Sequence, residues 1–125
     1  MSEQKMIHFQ SNNISEYLTV VAVTGKLNET SRSHFFQCIS DTLDEGFSQV
    51  IVDCSGLGLL GSSGLAALLM ARKQARRKGG RVYLTHVNST MSELLEKTKL
   101  STLLAIYPST ESLLGSISRG ELVSA

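Results

Sequence analysis

The strongest constraint on the fold is the order of three patterns in residues 49–78. The run QVIVDC at 49–54 is nearly all apolar at its centre, which is typical of a strand covered on both faces. A glycine-rich segment, SGLGLLGSSG at 55–64, follows it. From Ser62 a helical pattern continues through LAALLMARKQARRK to the double glycine Gly79 and Gly80. A buried strand that leads directly into a helix is the repeating unit of a parallel α/β sheet.

The other segments continue this alternation. A weak first strand is predicted around Met6, Ile7 and Phe9, before a turn at the SNN of residues 11–13. Further strands are predicted over YLTVVAV (17–23), RVYLTHV (81–87) and TLLAIY (102–107). Helices are predicted from Thr30 or Ser31 to Gly46, around Met91 to Lys97, and after Ser109 or Thr110. The expected fold is an α/β domain with parallel crossovers and with its first strands antiparallel at one edge.

The length of the chain indicates one domain. A chain of 125 residues can bury about two-thirds of its unfolded surface, and no linker or repeat divides it. We expect a single domain over residues 1–125 with its core at about 7–118.

The formal net charge of +1 argues against a whole-molecule attraction to nucleic acid or membrane. Cys38 and Cys54 lie among apolar residues, as reduced thiols do, and no apolar run suits a signal peptide or a membrane span. A cytoplasmic location is expected.

The glycines at 56, 58 and 61 have the spacing of a dinucleotide-binding loop. Such a loop also needs an acidic residue about 20 residues further on to hold the ribose, and no residue between Cys54 and Ser92 is acidic. Leu57, Leu59 and Leu60 fill the gaps between the glycines. We therefore interpret the segment as a loop folding back onto the core, and expect no cofactor.

Other enzymatic motifs are incomplete. The Gly61–Gly64 segment lacks the lysine of a P-loop. Two residues after Ser63, where a hydrolase elbow needs its second glycine, the residue is Leu65. The three histidines, His8, His34 and His86, have no metal-ligand spacing. We expect a protein that is not an enzyme, with no catalytic residue and no metal.

A basic stretch lies at the end of the second predicted helix. Its members are Arg72, Lys73, Arg76, Arg77, Lys78 and Arg81. Cations there complement the helix dipole and keep the outer face soluble, and no aromatic residues lie among them to stack on bases. We expect no direct DNA binding, while a docking face for a protein or an anionic lipid headgroup stays open.

The serine pair has a structural and a functional interpretation. Ser62 or Ser63 could cap the unpaired N–H groups at the start of the helix. A phosphate on either serine would face the same N–H groups and the positive end of the helix dipole, so the position also suits a phosphorylation switch.

The pattern of strand, short glycine segment, Ser62-Ser63-Gly64-Leu65, apolar helix and double glycine resembles the STAS domain of bacterial anti-sigma factor antagonists. TGKLNETS at 24–31 is similar to a second segment of that family, and the likeness extends from about Ile7 to Leu114. The resemblance implies a mixed sheet of four to five strands packed with four to five helices. It also implies a non-enzymatic partner that captures an anti-sigma factor with serine kinase activity, lets go when phosphorylated, and is reset by a serine phosphatase.

Carried over by position, the resemblance implies phosphorylation of Ser62, with Ser63 as second choice. It implies partner contacts at Asn28, Gly61, Ser62, Ser63 and Gly64. Two positions depart from the family pattern: Gly61 replaces an aspartate, and Gly25-Lys26-Leu27-Asn28 replaces Gly-Glu-Leu-Asp. The missing carboxylates favour an alternative, a STAS subunit of a transport-associated or sensory complex without a phosphorelay.

Overall fold

The computed structural model describes residues 7–119, which form one sheet and four α-helices. The strands are β1 (Ile7–Asn13), β2 (Leu18–Leu27), β3 (Gln49–Leu60), β4 (Arg81–Thr85) and β5 (Ala105–Tyr107). The helices are α1 (Arg32–Asp44), α2 (Ser62–Arg77), α3 (Ser89–Lys97) and α4 (Thr110–Ser118), with a 3-10 turn at Leu100–Thr102. The predicted α/β class is confirmed.

The spatial order of the strands is the same as their order in the chain, β1-β2-β3-β4-β5. β1 pairs antiparallel with β2, and the other neighbouring pairs are parallel. The predicted mixed sheet, with an antiparallel first strand at one edge, is therefore confirmed. This arrangement brings the carboxyl ends of β2, β3, β4 and β5 to one edge, where each is followed by the start of a helix or a short loop leading to one.

The two faces of the sheet are covered unequally. On one face α1, α2 and α3 pack over a core that includes the fully buried Val21, Val50 and Leu84. On the other face α4 inserts Leu113 beside Ile51 in β3, together with Tyr83 from β4. The centre of β3, Val50–Val52, is thus covered on both faces, which explains why this part of its sequence is apolar.

Several predicted boundaries differ from the structure, and the strand predicted at 17–23 extends to Leu27. The SNN at 11–13 is the end of β1 rather than a turn; the chain turns after it, where the Ile14 N–H donates to the Leu18 carbonyl at 2.9 Å. Of the predicted strand at 102–107, only Ala105–Tyr107 is extended, because the preceding residues form the 3-10 turn. β4 ends at Thr85 because His86 adopts φ +58°. The proposed contribution of Met6 lies outside the described residues.

The turn between α2 and β4 is closed by the double glycine, as predicted. Gly79 adopts φ +78°, which favours glycine, and the Gly80 N–H donates to the Ala75 carbonyl at 2.8 Å. The next residue, Arg81, donates its N–H to the Ser48 carbonyl at 2.8 Å. The end of α2 is therefore fixed against the residue that precedes β3.

Candidate functional site

The glycine-rich segment is a strand and not the predicted loop. β3 continues through it to Leu60 and stays paired with β2, with Gly56 opposite Thr24 and two bulges in the register. A Cβ at Gly56 would lie 2.9 Å from Thr24 Oγ1 and 3.1 Å from the Val23 carbonyl oxygen. This glycine therefore permits close approach of β2 rather than of a pyrophosphate. Leu57 is buried, as expected, while the side chains of Leu59 and Leu60 lie outside the described set.

The start of α2 is uncapped. Gly61 is the N-cap, with φ −98° and ψ −177°, and no side chain accepts a hydrogen bond from the first turn. The predicted capping by Ser62 or Ser63 is therefore wrong, because both serines already lie inside the helix. The first turn of a helix leaves its N–H groups without helical partners. Those of Ser62, Ser63 and Gly64 thus have no helical partner and no side-chain cap among the described residues.

The serines differ in exposure. Ser62 is exposed, Ser63 is partly buried and Gly64 is buried. A group transferred to a hydroxyl needs access to the oxygen, so Ser62 is the better placed of the two serines. The first turn of α2 contains no acidic residue, and the positive end of its dipole is therefore not offset locally.

Asn28 shapes the loop between β2 and α1. Its Oδ1 accepts hydrogen bonds from the N–H groups of Thr30 at 3.0 Å and Ser31 at 3.2 Å. The Ser31 hydroxyl donates to the Lys26 carbonyl at 2.6 Å, and Ser31 is 2% exposed. Ser31 is thus the N-cap of α1 by position, but its side chain holds the loop instead of capping the helix. An aspartate at position 28 could make the same two acceptor contacts.

One hydrogen bond joins the loop and the helix start. The Gly61 N–H donates to the Leu27 carbonyl at 3.2 Å, and Asn28 follows Leu27 directly. Asn28 and the segment Gly61–Gly64, which were predicted to share a partner surface, therefore lie side by side at the carboxyl edge of the sheet. Their joint role in binding stays a prediction.

Sequence reasoning missed two residues that support this edge. Asn88 caps α3 by accepting from the Met91 N–H at 2.8 Å, and its Nδ2 lies 3.5 Å from the Leu57 carbonyl oxygen. His86 Nε2 accepts from the Thr110 N–H at 3.2 Å and so supports the start of α4. An asparagine before an apolar helical run is a cap signature that could have revealed Asn88. No local pattern could have revealed His86, since its partner lies 24 residues away.

Replacing Gly61 with aspartate should stabilise the protein by about 0.5–1 kcal/mol. A Cβ at Gly61 meets nothing within 4 Å, and its φ is accessible to any residue. The carboxylate can cap α2, favour its dipole and restrict the unfolded chain. Urea unfolding measures the change, and Gly61→Ala is the control that lacks the cap. Equal stability of the two variants would show that the helix start needs no acceptor.

The two thiols should differ sharply in reactivity. Burial raises the pKa of the Cys54 thiol to about 12, and a smaller burial effect raises the pKa of Cys38. The thiolate is the nucleophile, so iodoacetamide at pH 8 should modify Cys38 first and leave Cys54 intact in the folded protein. Mass spectrometry of peptides checks this, with both thiols reacting in urea. Equal labelling of both in the native state would contradict the packing around Cys54.

The same shift has a pH consequence. Since the folded-state pKa of Cys54 lies above its ordinary value of 9.0, the protonated thiol contributes stability fully below pH 9. That contribution declines as pH rises from 9 towards the folded-state value.

Residues 7–119 contain neither a metal-binding cluster nor a membrane-spanning helix. Within that range no three His, Cys, Asp or Glu side chains are grouped so that they could hold a metal ion. None of the helices there has both the length and the apolar character needed to cross a membrane.

By overall shape the chain is similar to an anti-sigma factor antagonist from Mycobacterium paratuberculosis, with a TM-score of 0.80, 19% identity, and 94% of this chain and 99% of that one covered. It is similar to the antagonist SpoIIAA in its unphosphorylated form, with a TM-score of 0.74, 19% identity and coverage of 94% and 100%. For Bacillus SpoIIAA in the phosphorylated form these values are 0.67, 18%, 88% and 99%.

At these identities the likeness to solved structures shows a shared fold. No protein with a curated description matches the sequence. The model of the STAS domain, however, matches residues 8–113, which include every strand from β2 to β5 and the whole candidate site. The chain therefore belongs to the STAS domain family.

Proposed function

We propose that this protein is an anti-sigma factor antagonist, a non-enzymatic cytoplasmic binding protein that is switched off by phosphorylation of Ser62. The observation that carries the proposal is the exposed Ser62 hydroxyl at the uncapped start of α2. Two solved relatives by fold support it, since SpoIIAA exists in an unphosphorylated and a phosphorylated form. The unphosphorylated protein captures an anti-sigma factor, which frees the sigma factor.

The switch works through charge at the helix start. A phosphate on Ser62 adds almost two negative charges beside the free N–H groups of the first turn. These groups and the helix dipole favour the phosphate, so the domain stays folded. The partner then meets a bulky, charged group where it met a small hydroxyl, and the complex dissociates. An anti-sigma factor with serine kinase activity supplies the phosphate, and a serine phosphatase removes it.

The departures at Gly61 and Asn28 change charge more than shape. The Asn28 amide oxygen holds the loop by accepting from Thr30 and Ser31, as a carboxylate would. Gly61 keeps the extended geometry of an N-cap. The backbone that presents Ser62 does not depend on either carboxylate. The partner surface must therefore differ in charge from one that meets two acidic residues.

The absence of acidic side chains at positions 28 and 61 favours a second candidate function. Without carboxylates at Gly61 and Asn28, the same edge could serve as the contact of a STAS subunit in a transport-associated or sensory complex, with no phosphorelay. In that case Ser62 would belong to an interface that is not regulated by phosphorylation. The two functions predict different partners, a kinase-like anti-sigma factor or a membrane-associated assembly.

The test is phosphorylation by the cognate anti-sigma factor. We expect incubation with that kinase and ATP to place one phosphate on Ser62, located by peptide mass spectrometry. Ser62→Ala should abolish the modification, while Ser63→Ala, the matched control, should retain it. Absence of phosphate from both serines would exclude the switch, and phosphate on Ser63 alone would move it by one residue.

A further inference from the structure

The outer face of α2 continues the surface that begins at Ser62. Six positions of α2 are exposed, and five of them lie on this face: Ser62, Ala66, Met70, Lys73 and Arg77. With 3.6 residues per turn, these positions fall within an arc of about 80° around the helix axis. With a rise of 1.5 Å per residue, they extend about 22 Å along it. We call Ala66, Met70, Lys73 and Arg77 the α2 stripe, which adjoins the candidate site without a break.

The α2 stripe contains a large apolar side chain in open solvent. Met70 is 54% exposed, although α2 has a separate apolar face that is buried against the sheet. The flexible thioether of methionine adapts to irregular pockets and is common on protein-binding surfaces. Solubility explains the neighbouring cations, but it does not explain an exposed Met70 among them.

The two cations of the stripe are unpaired. Within residues 7–119, neither Lys73 nor Arg77 makes a hydrogen bond or an ion pair, whereas the adjacent Lys78 pairs with Asp44. Lys73 and Arg77 are four residues apart, a spacing at which like charges destabilise a helix. Their position near the end of α2 offsets part of this cost through the dipole. Both charges stay available to a partner.

We infer that the α2 stripe docks an acidic protein surface, with an apolar pocket for Met70 and carboxylates opposite Lys73 and Arg77. This inference rests on the proposed function, because the occupant is the same protein that contacts Ser62. Two unpaired cations and one apolar side chain suit a protein better than a nucleic acid, which needs several phosphate contacts. The partner thus spans Ser62 and the stripe in one continuous contact.

Photo-crosslinking in the native cell tests whether one protein contacts both the candidate site and the α2 stripe. A benzophenone amino acid is placed at Met70 in one strain and at Thr30, an exposed residue of the β2–α1 loop, in another. Ser112, exposed on α4, is the control position. We expect the Met70 and Thr30 positions, but not Ser112, to capture one common protein, identified by mass spectrometry. Capture from Thr30 alone overturns the inference, as does capture of nucleic acid or of nothing at Met70.

The charge requirement is tested with the captured protein after purification. The double variant Lys73→Glu, Arg77→Glu should bind it about tenfold more weakly, mainly through slower association that depends less on salt. Met70→Ala should weaken binding about tenfold through faster dissociation. Lys97→Glu, which reverses an exposed cation at the end of α3, is the matched control. Affinity of the double variant within twofold of the control overturns the inference.

The outcomes separate the inference from the proposed function. If the captured protein phosphorylates Ser62 and the charge variants weaken its binding, both stand. If the charge variants weaken binding of a protein that leaves Ser62 unmodified, the docking surface stands and the switch fails. If a Ser62 kinase binds the charge variants normally, the switch stands and the docking surface fails.

Discussion

Replacing Gly80 with alanine should lower the free energy of unfolding by about 3 kcal/mol, the largest stability effect expected of a single methyl group here. The added Cβ would overlap the Ser48 carbonyl oxygen and lie 2.9 Å from its carbon and 3.0 Å from Ser48 Cα. These are backbone atoms and cannot rotate aside. The Ser48 carbonyl also accepts from the Arg81 N–H, so any shift disturbs the hydrogen bond between the start of β4 and the residue that precedes β3. Urea unfolding of both proteins measures the difference.

Gly61→Ala is the matched control for this prediction. It adds the same methyl group at a position with nothing within 4 Å. We expect it to change stability by less than about 1 kcal/mol, in the stabilising direction. Unfolding free energies for the two variants that agree within error would mean that the turn at Gly80 can open without cost to the core.

Replacing Ser62 with aspartate should weaken binding of the anti-sigma factor roughly 100-fold, because a carboxylate would be buried at the interface without a partner cation. The same substitution should raise the free energy of unfolding by about 0.5 kcal/mol, because an acidic residue in the first turn favours the helix dipole. The opposite signs are informative, since loss of binding then cannot result from unfolding. Calorimetry measures the affinity, and urea unfolding measures the stability.

Ser62→Asn serves as the uncharged control of similar size. We expect its affinity to stay within about threefold of the natural protein, since surface substitutions without charge change are mild. If Ser62→Asp and Ser62→Asn weakened binding equally, size would matter and charge would not. The phosphate would then act by steric exclusion rather than by repulsion.

Local patterns were sufficient to predict the elements that surround the site. The apolar run of Gln49–Cys54, the helical spacing after Ser62 and the stop at Gly79 each depend on near neighbours in sequence, and each is confirmed. The alternation of strands and helices also predicted the sheet type, and the resemblance to the STAS domain added the family. Family and fold were therefore accessible before any coordinates.

The errors at the candidate site concern contacts between distant segments. The extension of β3 through Gly56 depends on close pairing with Thr24 of β2, and glycine has no strand preference that would reveal it. Ser62 and Ser63 were predicted as N-caps of α2, but Gly61 is the N-cap. The choice of Gly61 is made by its hydrogen bond to the Leu27 carbonyl. A hydrogen bond between residues far apart in the sequence cannot be predicted from the residues next to either partner.

The identical order of the strands in space and in the chain has a consequence for folding. Each strand pairs with the one before it, so no later segment has to be inserted between strands that are already paired. The sheet can grow outward from β1 as the polypeptide leaves the ribosome. The residues of β2, β3 and the Gly61–Leu27 hydrogen bond have all been synthesised once α2 has emerged, while β4, β5 and α4 are still being made. The surface around Ser62 can thus form early in synthesis, before α4 covers the opposite face of the sheet.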